Sequence, residues 1–352
     1  MNHNSHRRIL AVDIGGGTQD ILLYEGWKNP ENFIKLVLPS PTVIISKKIE
    51  QATEREQALF LTGSIMGGGK STRAIKKHLE KNLPVYALPE AAKTINDDLN
   101  NVQEMGVILV DTPPDEKNLC CIEMKDLNLA ALQQALSCFD VNLPKEVAVA
   151  VQDHGEAPPG VSNRLFRFKH WESFLQAGGK LEQLAYINPP AHMTRMKSVQ
   201  QQTPGAMVMD TCSAAIWGAL LDPQIKKELP RGAVVVNIGN QHTFAALIKE
   251  QRVYGIFEHH TRLMNAEKLF HLINKLRHGE LTHEDVFSDG GHGCSIGKNL
   301  PGGFQFVGIT GPRRCIAAEL NYHSANPFGD MMLTGCYGLV RALKEVSDPK
   351  HP

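Results

Sequence analysis

The sequence predicts an α/β protein built from two similar domains that face each other across a ligand cleft. Three observations lead to this prediction. The chain has 352 residues, which is more than one hydrophobic core usually organises. Each half opens with two apolar runs joined by a glycine-containing turn, a pattern typical of a β-hairpin. After each hairpin, short apolar strands alternate with helical segments.

The first hairpin carries the strongest functional signal. Its apolar runs, 9–12 and 21–24, flank the sequence DIGGGTQD at 13–20. Three glycines at the tip leave room for a ligand beside the backbone, and the backbone N–H groups of such a turn can converge on phosphate oxygens. Asp13 ends the incoming strand, where it could hold a hydrated Mg²⁺, and Thr18 adds a hydroxyl. The alternative is an ordinary glycine-rich hairpin, which rarely has an Asp inside its apolar strand.

A second copy of this pattern lies in the other half of the chain. Asn237 aligns with Asp13, and Gly239 aligns with Gly15. The repetition indicates an ancient duplication, with two phosphate-binding turns facing each other; a chance likeness is the alternative. The phosphate-binding positions predicted on this side are Gly239, Gln241, His242 and Thr243.

A third glycine-rich segment, 63–71, precedes a basic helix. It misses the P-loop pattern by one position. We expect Gly67, Gly68, Gly69 and Lys70 to meet phosphate or a small substrate in the cleft. The alternative is a structural turn that caps the following helix, whose N-terminus would still attract an anion.

The domain division is predicted from a change in sequence character. Residues 1–204 form the first domain, with an irregular insertion near 155–204, and residues 205–352 form the second. Segment 200–205 contains three glutamines and ends in Pro-Gly, which is typical of a boundary.

The composition of the chain limits the kinds of partner and compartment that are expected. The formal net charge is zero, which argues against general binding to nucleic acid or to a membrane surface. No segment approaches the ~20 apolar residues of a membrane helix. The seven cysteines are scattered without a CxxC pair, which favours a reducing cytoplasm. The sequence leaves self-association open.

Four histidines of the second half, His259, His260, His283 and His292, raise the question of a metal site. Adjacent strand residues point to opposite faces, so the first two cannot easily chelate one ion together. No HExxH or His/Cys zinc spacing is present. The pattern favours a substrate or subunit contact over a transition-metal site.

The ordered set of motifs resembles the superfamily of actin, sugar kinases and heat-shock chaperone ATPases. Segment 210–218 resembles its connecting helix, 306–312 its adenosine motif, and 335–338 its small-residue terminal helix. The resemblance implies two duplicated actin-like (ribonuclease H-like) domains around a nucleotide cleft, with ATP and Mg²⁺ as ligands. It places Gly308, Thr310 and Gly311 against the adenosine.

The same resemblance implies roles for other residues. The phosphates would meet Gly15, Gly16, Gly17, Thr18 and Gln19. Family members usually have an aspartate where this chain has Asn237, so either hydrolysis would be slow or the metal would rest mainly on Asp13. The alternative is an asparagine that is simply tolerated at a turn. The end of the strand 147–151 is where the superfamily often keeps its basic or water-orienting residue. Asp153 is the predicted base, and Gln152 is the alternative that positions water.

More closely, the chain resembles a family within that superfamily whose members carry the label pyruvate formate-lyase activating enzyme. The resemblance rests on segments 62–69, 258–261 and 289–293. True activating enzymes of that kind hold an iron–sulfur cluster through three close cysteines, and this sequence has no such motif.

We therefore expect a cytoplasmic, Mg²⁺-dependent ATP-binding protein, an ATPase or a phosphotransferase. The first form is a slow ATPase whose domain closure activates a partner protein. The alternatives are a small-molecule kinase of the sugar-kinase type, with its substrate near residues 67–70, and the activating enzyme of the family label. A further alternative is a structural relative that binds no nucleotide.

Overall fold

The computed structural model describes residues 6–158 and 160–347. The first half contains β1 (Arg8–Ile14), β2 (Thr18–Glu25), β3 (Ile34–Pro39), α1 (Pro41–Glu54), β4 (Ala58–Gly63), α2 (Lys70–Leu79), β5 (Val85–Ala87), α3 (Pro89–Ala92), α4 (Leu99–Glu104), β6 (Val107–Leu109), β7 (Leu119–Met124), α5 (Leu129–Ser137), β8 (Glu146–Val151), α6 (Asn163–Gln176), β9 (Ala185–Tyr186), α7 (Thr194–Gln202) and β10 (Met207–Met209). The second half contains α8 (Thr211–Ala219), α9 (Pro223–Glu228), β11 (Ala233–Ile238), β12 (His242–Lys249), β13 (Arg252–His260), α10 (Ala266–Arg277), α11 (His283–Phe287), β14 (Gly293–Ile296), β15 (Phe306–Thr310), β16 (His323–Ser324) and α12 (Thr334–Ser347).

The two large sheets repeat one topology. In the first sheet the order is β3-β2-β1-β8-β10-β9, and in the second it is β14-β13-β12-β11-β15-β16. Each sheet begins with a three-stranded antiparallel meander, β1–β3 or β11–β13. Each then adds two strands parallel to the first strand of the meander, β8 and β10 or β15 and β16. This repetition confirms the predicted α/β fold of two duplicated actin-like (ribonuclease H-like) domains.

Both predicted hairpins are present, and the same backbone hydrogen bond closes the turn of each. The N–H of Gly15 donates to the carbonyl of Thr18 at 2.9 Å, and the N–H of Gly239 donates to the carbonyl of His242 at 2.9 Å. Strands β1 and β11 lie inside their sheets and read as continuous apolar runs, as expected for strands covered on both faces. The alignment of the second hairpin with the first is therefore structural as well as sequential.

Helices α8 and α12 pack against each other at backbone distance. A Cβ built on Gly218 would overlap the carbonyl oxygen of Thr334, and one built on Gly338 would overlap that of Ala214. Helix α8 is buried along its whole length, and α12 also contacts β1, β2 and β8. The two small-residue segments that resembled family helices thus form one helix pair.

A third, four-stranded parallel sheet, β6-β5-β4-β7, is inserted between β3 and β8. The sequence did not predict this unit as a separate layer. Its own core contains side chains from α1, α2, β4 and β5. Because α2 follows β4 through residues 64–69, the sheet brings the glycine-rich loop to the cleft.

The predicted boundary between residues 204 and 205 stays a prediction, although strand pairing carries the first sheet to Met209. The insertion near 155–204 contains α6, β9 and α7. Along the described ranges, no helix combines the length and apolarity needed to cross a bilayer.

Candidate functional site

A cavity of about 490 Å³ lies between the two hairpins. Its wall combines the first hairpin, the glycine-rich loop, the end of β8, the second hairpin and the loops before α12. The predicted residues that line it are Asp13, Gly15, Gly16, Thr18, Gly67, Gly68, Gly69, Gln152, Asp153, Asn237, Gly239, Gln241, His242, Thr310 and Gly311. The fold therefore gathers most of the predicted positions at one site.

The tips of the two hairpins touch. A Cβ built on Gly16 would overlap the side-chain amide of Gln241, and one on Gly17 would lie 2.7 Å from Nδ2 of Asn240. Gly69 also approaches Gln241. At the first tip the side chains of Gln241 and Asn240 therefore lie directly on the glycine backbone.

Asp13 is the most unusual group in the cavity. Its Oδ1 is buried and has no hydrogen-bond partner among the described residues. Burial and the nearby carboxylates of Asp20 and Asp210 raise the pKa of Asp13 well above its ordinary value. The side chain presses on Gly335 at the start of α12, where a Cβ would overlap it. An unpartnered, crowded carboxylate that faces a cavity fits a cation, because a cation would supply the missing partner.

Asp20 stands directly opposite Asp13 in the β1–β2 ladder. Burial raises the pKa of Asp20 to about 7, a hydroxyl bond from Thr18 opposes the rise, and Asp330 adds to it. Two carboxyl groups so close together repel when both are charged, and a divalent cation would relieve this repulsion.

The glycine-rich loop is held in place by side chains behind it. The N–H of Gly67 donates to Oδ1 of Asp126 at 3.2 Å, and Arg195 pairs with Asp126 at 2.7 Å. The carbonyl of Gly68 accepts hydrogen bonds from Thr42 and Ser71. These bonds fix the loop, so its backbone could meet a ligand without further ordering.

Two predicted catalytic residues at the end of β8 are already engaged. Asp153 accepts backbone N–H bonds from Gly155 at 2.8 Å and Met196 at 2.9 Å. Burial raises the pKa of Asp153, although these two bonds oppose the rise. The side-chain amide of Gln152 donates to Glu258 at 2.7 Å. Both side chains therefore hold the structure together, and their roles in catalysis stay predictions.

Arg167 and Glu258, which the sequence analysis missed, join the two domains in a buried network. Arg167 on α6 donates to Oε2 of Glu258 on β13 at 2.6 Å and pairs with Asp210 at 2.8 Å. Burial alone would raise the pKa of Glu258, but Arg167 and three nearby histidines lower it to about 2. Glu258 lies in one of the segments that carried the family resemblance, which was the available signal.

Three histidines meet beside this network, and His292 is the one member that was among the four singled out from sequence. One ring nitrogen each of His154, His242 and His292 lies within 4.8 Å of the others. Burial lowers the pKa of all three imidazoles. His259 points elsewhere, with Nε2 3.0 Å from Asp289, and His283 packs on Phe287.

Several predicted residues lie off the cavity. Gly17 faces Asn240 at the hairpin tip, and Gln19 donates to the carbonyl of Pro39. The other residues placed away from the cavity wall are Lys70, which is exposed at the start of α2, Thr243, which is buried against Thr261, and Gly308, which packs on Ile225.

The cavity also has walls that the sequence did not reveal. Met331, Met332 and Pro312 line one end, next to Thr310 and Gly311. Polar side chains line the region beyond the glycine-rich loop, namely Lys93, Asp97, Asn163 and Arg195. These residues come from separate loops and helices, so no local motif marks them.

The cysteines do not form a cluster site. All seven are free: three are buried, three exposed and one partly buried. Within the described ranges, the histidine trio is the group found close enough to hold a metal ion, and it contains no cysteine. The residues present therefore do not fit an iron–sulfur cluster of the kind that activating enzymes hold.

Comparison with known proteins gives a family and a set of distant structural likenesses. A family model described as "Putative pyruvate format-lyase activating enzyme (DUF1786)" matches residues 66–316, more than two thirds of the chain. None of the curated proteins searched matches.

Solved structures with a similar arrangement include ethanolamine utilization protein EutJ from Carboxydothermus hydrogenoformans. It is 12% identical, with 95% of this chain and 89% of that chain covered and a TM-score of 0.31. Another is the activator of 2-hydroxyisocaproyl-CoA dehydratase from Clostridium difficile with bound ADPNP. It is 11% identical, with 98% and 99% covered and a TM-score of 0.32. At these levels the likeness assigns no ligand or activity to the chain.

Proposed function

We propose that this chain, which belongs to the family just described, binds ATP together with Mg²⁺ between its two glycine hairpins. It would act as a slow ATPase whose domain closure acts on a partner protein. It would work in a reducing compartment such as the cytoplasm, a setting that its free cysteines would suit.

The buried, unpartnered carboxylate of Asp13 is the observation that carries this proposal. Oδ1 of Asp13 lies at the cavity wall beside the hairpin glycines and lacks a partner in the described chain. A Mg²⁺ ion prefers one or two carboxylates plus waters and phosphate oxygens. The metal would neutralise Asp13, and the phosphate oxygens would then meet backbone N–H groups of both hairpins.

The remaining cavity suits the rest of a nucleotide. Thr310 and Gly311 line the end where Met331 and Met332 add apolar surface. An adenine ring placed there would stack on thioethers, while its triphosphate would point toward Gly16 and Gln241. In this pose the ligand would contact both domains, which is why closure and binding would be coupled.

Slow hydrolysis would follow from the side chains that surround the proposed phosphate position. Asn237 occupies the position equivalent to Asp13, so the second hairpin contributes no charge to the metal. Asp153 uses both carboxylate oxygens on backbone N–H groups, which leaves it poorly placed to accept a proton. Phosphoryl transfer depends mainly on positioning and on charge neutralisation. This site would position the phosphates well but would neutralise little of their charge.

A small-molecule kinase is the second candidate. The polar end of the cavity, with Lys93, Asp97 and Asn163, lies past the glycine-rich loop. The amide of Asn163 donates to Asp97 at 2.9 Å. Such a pocket could hold a hydroxylated acceptor near the terminal phosphate. A kinase would release ADP only when the acceptor is present, whereas an ATPase would release it without one.

Calorimetric titration with a non-hydrolysable ATP analogue tests the proposal. We expect binding with Mg²⁺, loss of at least tenfold in affinity with chelator, and a similar loss in Asp13→Ala. Asp111→Ala, which removes an exposed carboxylate, should bind like the unaltered protein. No binding at millimolar analogue, or equal binding by Asp13→Ala, would overturn the proposal.

A further inference from the structure

We propose that His154, His242 and His292 bind one divalent transition-metal ion, of which Zn²⁺ is the representative, where the two domains meet. This site is separate from the Mg²⁺ position proposed beside Asp13. It goes beyond the proposed function and does not depend on it.

The geometry is close to that of a three-histidine centre. Nε2 of His154 and Nε2 of His292 are 3.1 Å apart, and a nitrogen of His242 lies within 4.8 Å of both others. Three nitrogens bound to one Zn²⁺ at about 2.0–2.1 Å lie about 3.4 Å from one another. A rotation that moves the His242 nitrogen by at most about 1.5 Å would complete the set.

The three side chains come from well-defined positions. His154 follows β8 of the first sheet, and His242 begins β12 of the second. His292 precedes β14, and its backbone N–H donates to the carbonyl of Glu258 at 2.9 Å. An ion held by these residues would connect the domains directly.

The contact between His154 and His292 also favours an ion. His292 is 2% exposed, and its Nε2, the nitrogen that would bind the ion, faces Nε2 of His154. Two neutral imidazole nitrogens that face each other can share one hydrogen bond, in which one nitrogen donates and the other accepts. A metal ion would bond to lone pairs of several rings at once and would account for their convergence.

The charge around the trio favours a cation. Arg167 is paired with two buried carboxylates, Glu258 and Asp210, so this network carries a net charge of −1. Both oxygens of Glu258 are already used, by Gln152 and Arg167. Glu258 therefore acts on the ion through its field and not as a ligand.

The ligand set decides the kind of metal. Neutral imidazole nitrogens suit Zn²⁺ and its neighbours in the transition series, whereas Mg²⁺ and Ca²⁺ prefer oxygen. His154 and His242 line the cavity, so a fourth position would face it. Three histidines with an open fourth position are typical of zinc centres that bind water or a ligand oxygen.

Zn²⁺ titration of the metal-depleted full chain, with excess Mg²⁺ and without nucleotide, tests this site. We expect one equivalent to bind and to raise the melting temperature. His154→Gln and His292→Gln should each weaken binding by at least about 100-fold, more than an outer-shell change would. His278→Gln, at an exposed histidine that follows α10, should change nothing.

A second control removes the thiols that could bind zinc at the surface. The double variant Cys120→Ser, Cys121→Ser should bind Zn²⁺ normally. The proposal is overturned if Zn²⁺ does not bind, if binding is lost in this variant, or if both histidine variants bind as before. If a histidine variant fails to fold, the Co²⁺ absorption spectrum of the unaltered chain decides, since thiolate charge-transfer bands contradict a histidine site.

Discussion

Single residues of the cleft show how tightly sequence and site are linked. The three glycines at 15–17 were readable from sequence because few other structures need such a run. The contacts of these glycines became visible only in the fold, in which Gln241 and Asn240 of the second hairpin lie against Gly16 and Gly17. The side chains that lie on these glycines come from the other domain.

Substitution of Gly16 should separate binding from stability. Gly16→Val places a branched side chain where Gln241 now lies, but Gln241 is flexible and can move aside, so the cost in unfolding free energy should be about 1 kcal/mol. The added methyl groups fill the space that phosphates would use, so affinity for the Mg²⁺–ATP analogue should fall at least tenfold.

Urea denaturation and calorimetry check both halves of this expectation. Gly302→Val is the matched control, because nothing lies within 4 Å of a Cβ at Gly302. Unchanged nucleotide affinity in Gly16→Val would show that the hairpin tip does not contact the ligand.

His170 on α6 gives a pH-dependent prediction. Burial, helped by His192 and Arg167, lowers the pKa of His170 to about 4. The unfolded chain, with a pKa near 6.5, binds more protons between pH 4 and 6.5. The free energy of unfolding should therefore fall as the pH drops through this window, by up to about 3 kcal/mol from this residue.

The measurement is urea denaturation at pH 7.5, 6 and 5. His170→Gln should lose less stability on acidification than the unaltered chain, because the contribution of His170 is removed. The loss that remains would come from the other buried histidines. His278→Gln should follow the unaltered chain. Parallel pH curves for all three proteins would refute a depressed pKa at His170.

At the scale of elements, the hairpins and helices α8 and α12 were predictable. Helix α6, which lies in the segment expected to be irregular, and the small sheet were not. Strands β1, β2, β11 and β12 have strong apolar runs around a turn, so local sequence suffices. Strands β5 and β6 have three residues each and pair in parallel with partners far along the chain. Local patterns carry little information about such pairing.

The histidine cluster was missed for a related reason. His154, His242 and His292 are separated by long stretches of chain: the first follows β8, the second begins β12 and the third precedes β14. Metal ligands are usually recognised in a sequence at short spacing. The sequence drew attention to His259, His260, His283 and His292, of which His292 alone belongs to the cluster. The fold turns His259 toward Asp289 and brings His154 to the second domain.

The α8–α12 pair predicts an effect that runs against helix propensity. Gly→Ala in an exposed helix usually stabilises by about 1 kcal/mol. Gly338→Ala should instead destabilise by about 3 kcal/mol, because its Cβ would meet the backbone of α8, which cannot move aside.

Thermal and urea unfolding give the comparison. Glu345→Ala, on the same helix and only partly buried, should stay within about 0.5 kcal/mol of the unaltered chain. A stabilised Gly338→Ala protein would mean that the two helices are not in backbone contact.

At the scale of the whole molecule, the two domains are joined by buried polar groups near the cleft. Arg167 binds Glu258 of the second sheet and Asp210 at the start of α8. The network lies beside the histidine trio, so events in the cleft could reach the domain interface through few contacts.

Removing the central cation of this network should be costly. Arg167→Leu leaves two buried carboxylates without their partner, and breaking such a pair usually destabilises by about 3–5 kcal/mol. Urea denaturation should show this loss, whereas Arg231→Leu, whose side chain is 81% exposed, should have little effect. A change below about 1 kcal/mol in Arg167→Leu would contradict the buried pairing.

The most direct test of the central claim is a crystal structure of the full chain grown with Mg²⁺ and a non-hydrolysable ATP analogue. We expect the β- and γ-phosphates between the turns at 15–17 and 239–241, with Mg²⁺ bound to Asp13 directly or through one water. The adenine should lie near Gly311 and Met331. Nucleotide density outside this cleft, or an empty cleft at saturating analogue, would contradict the account.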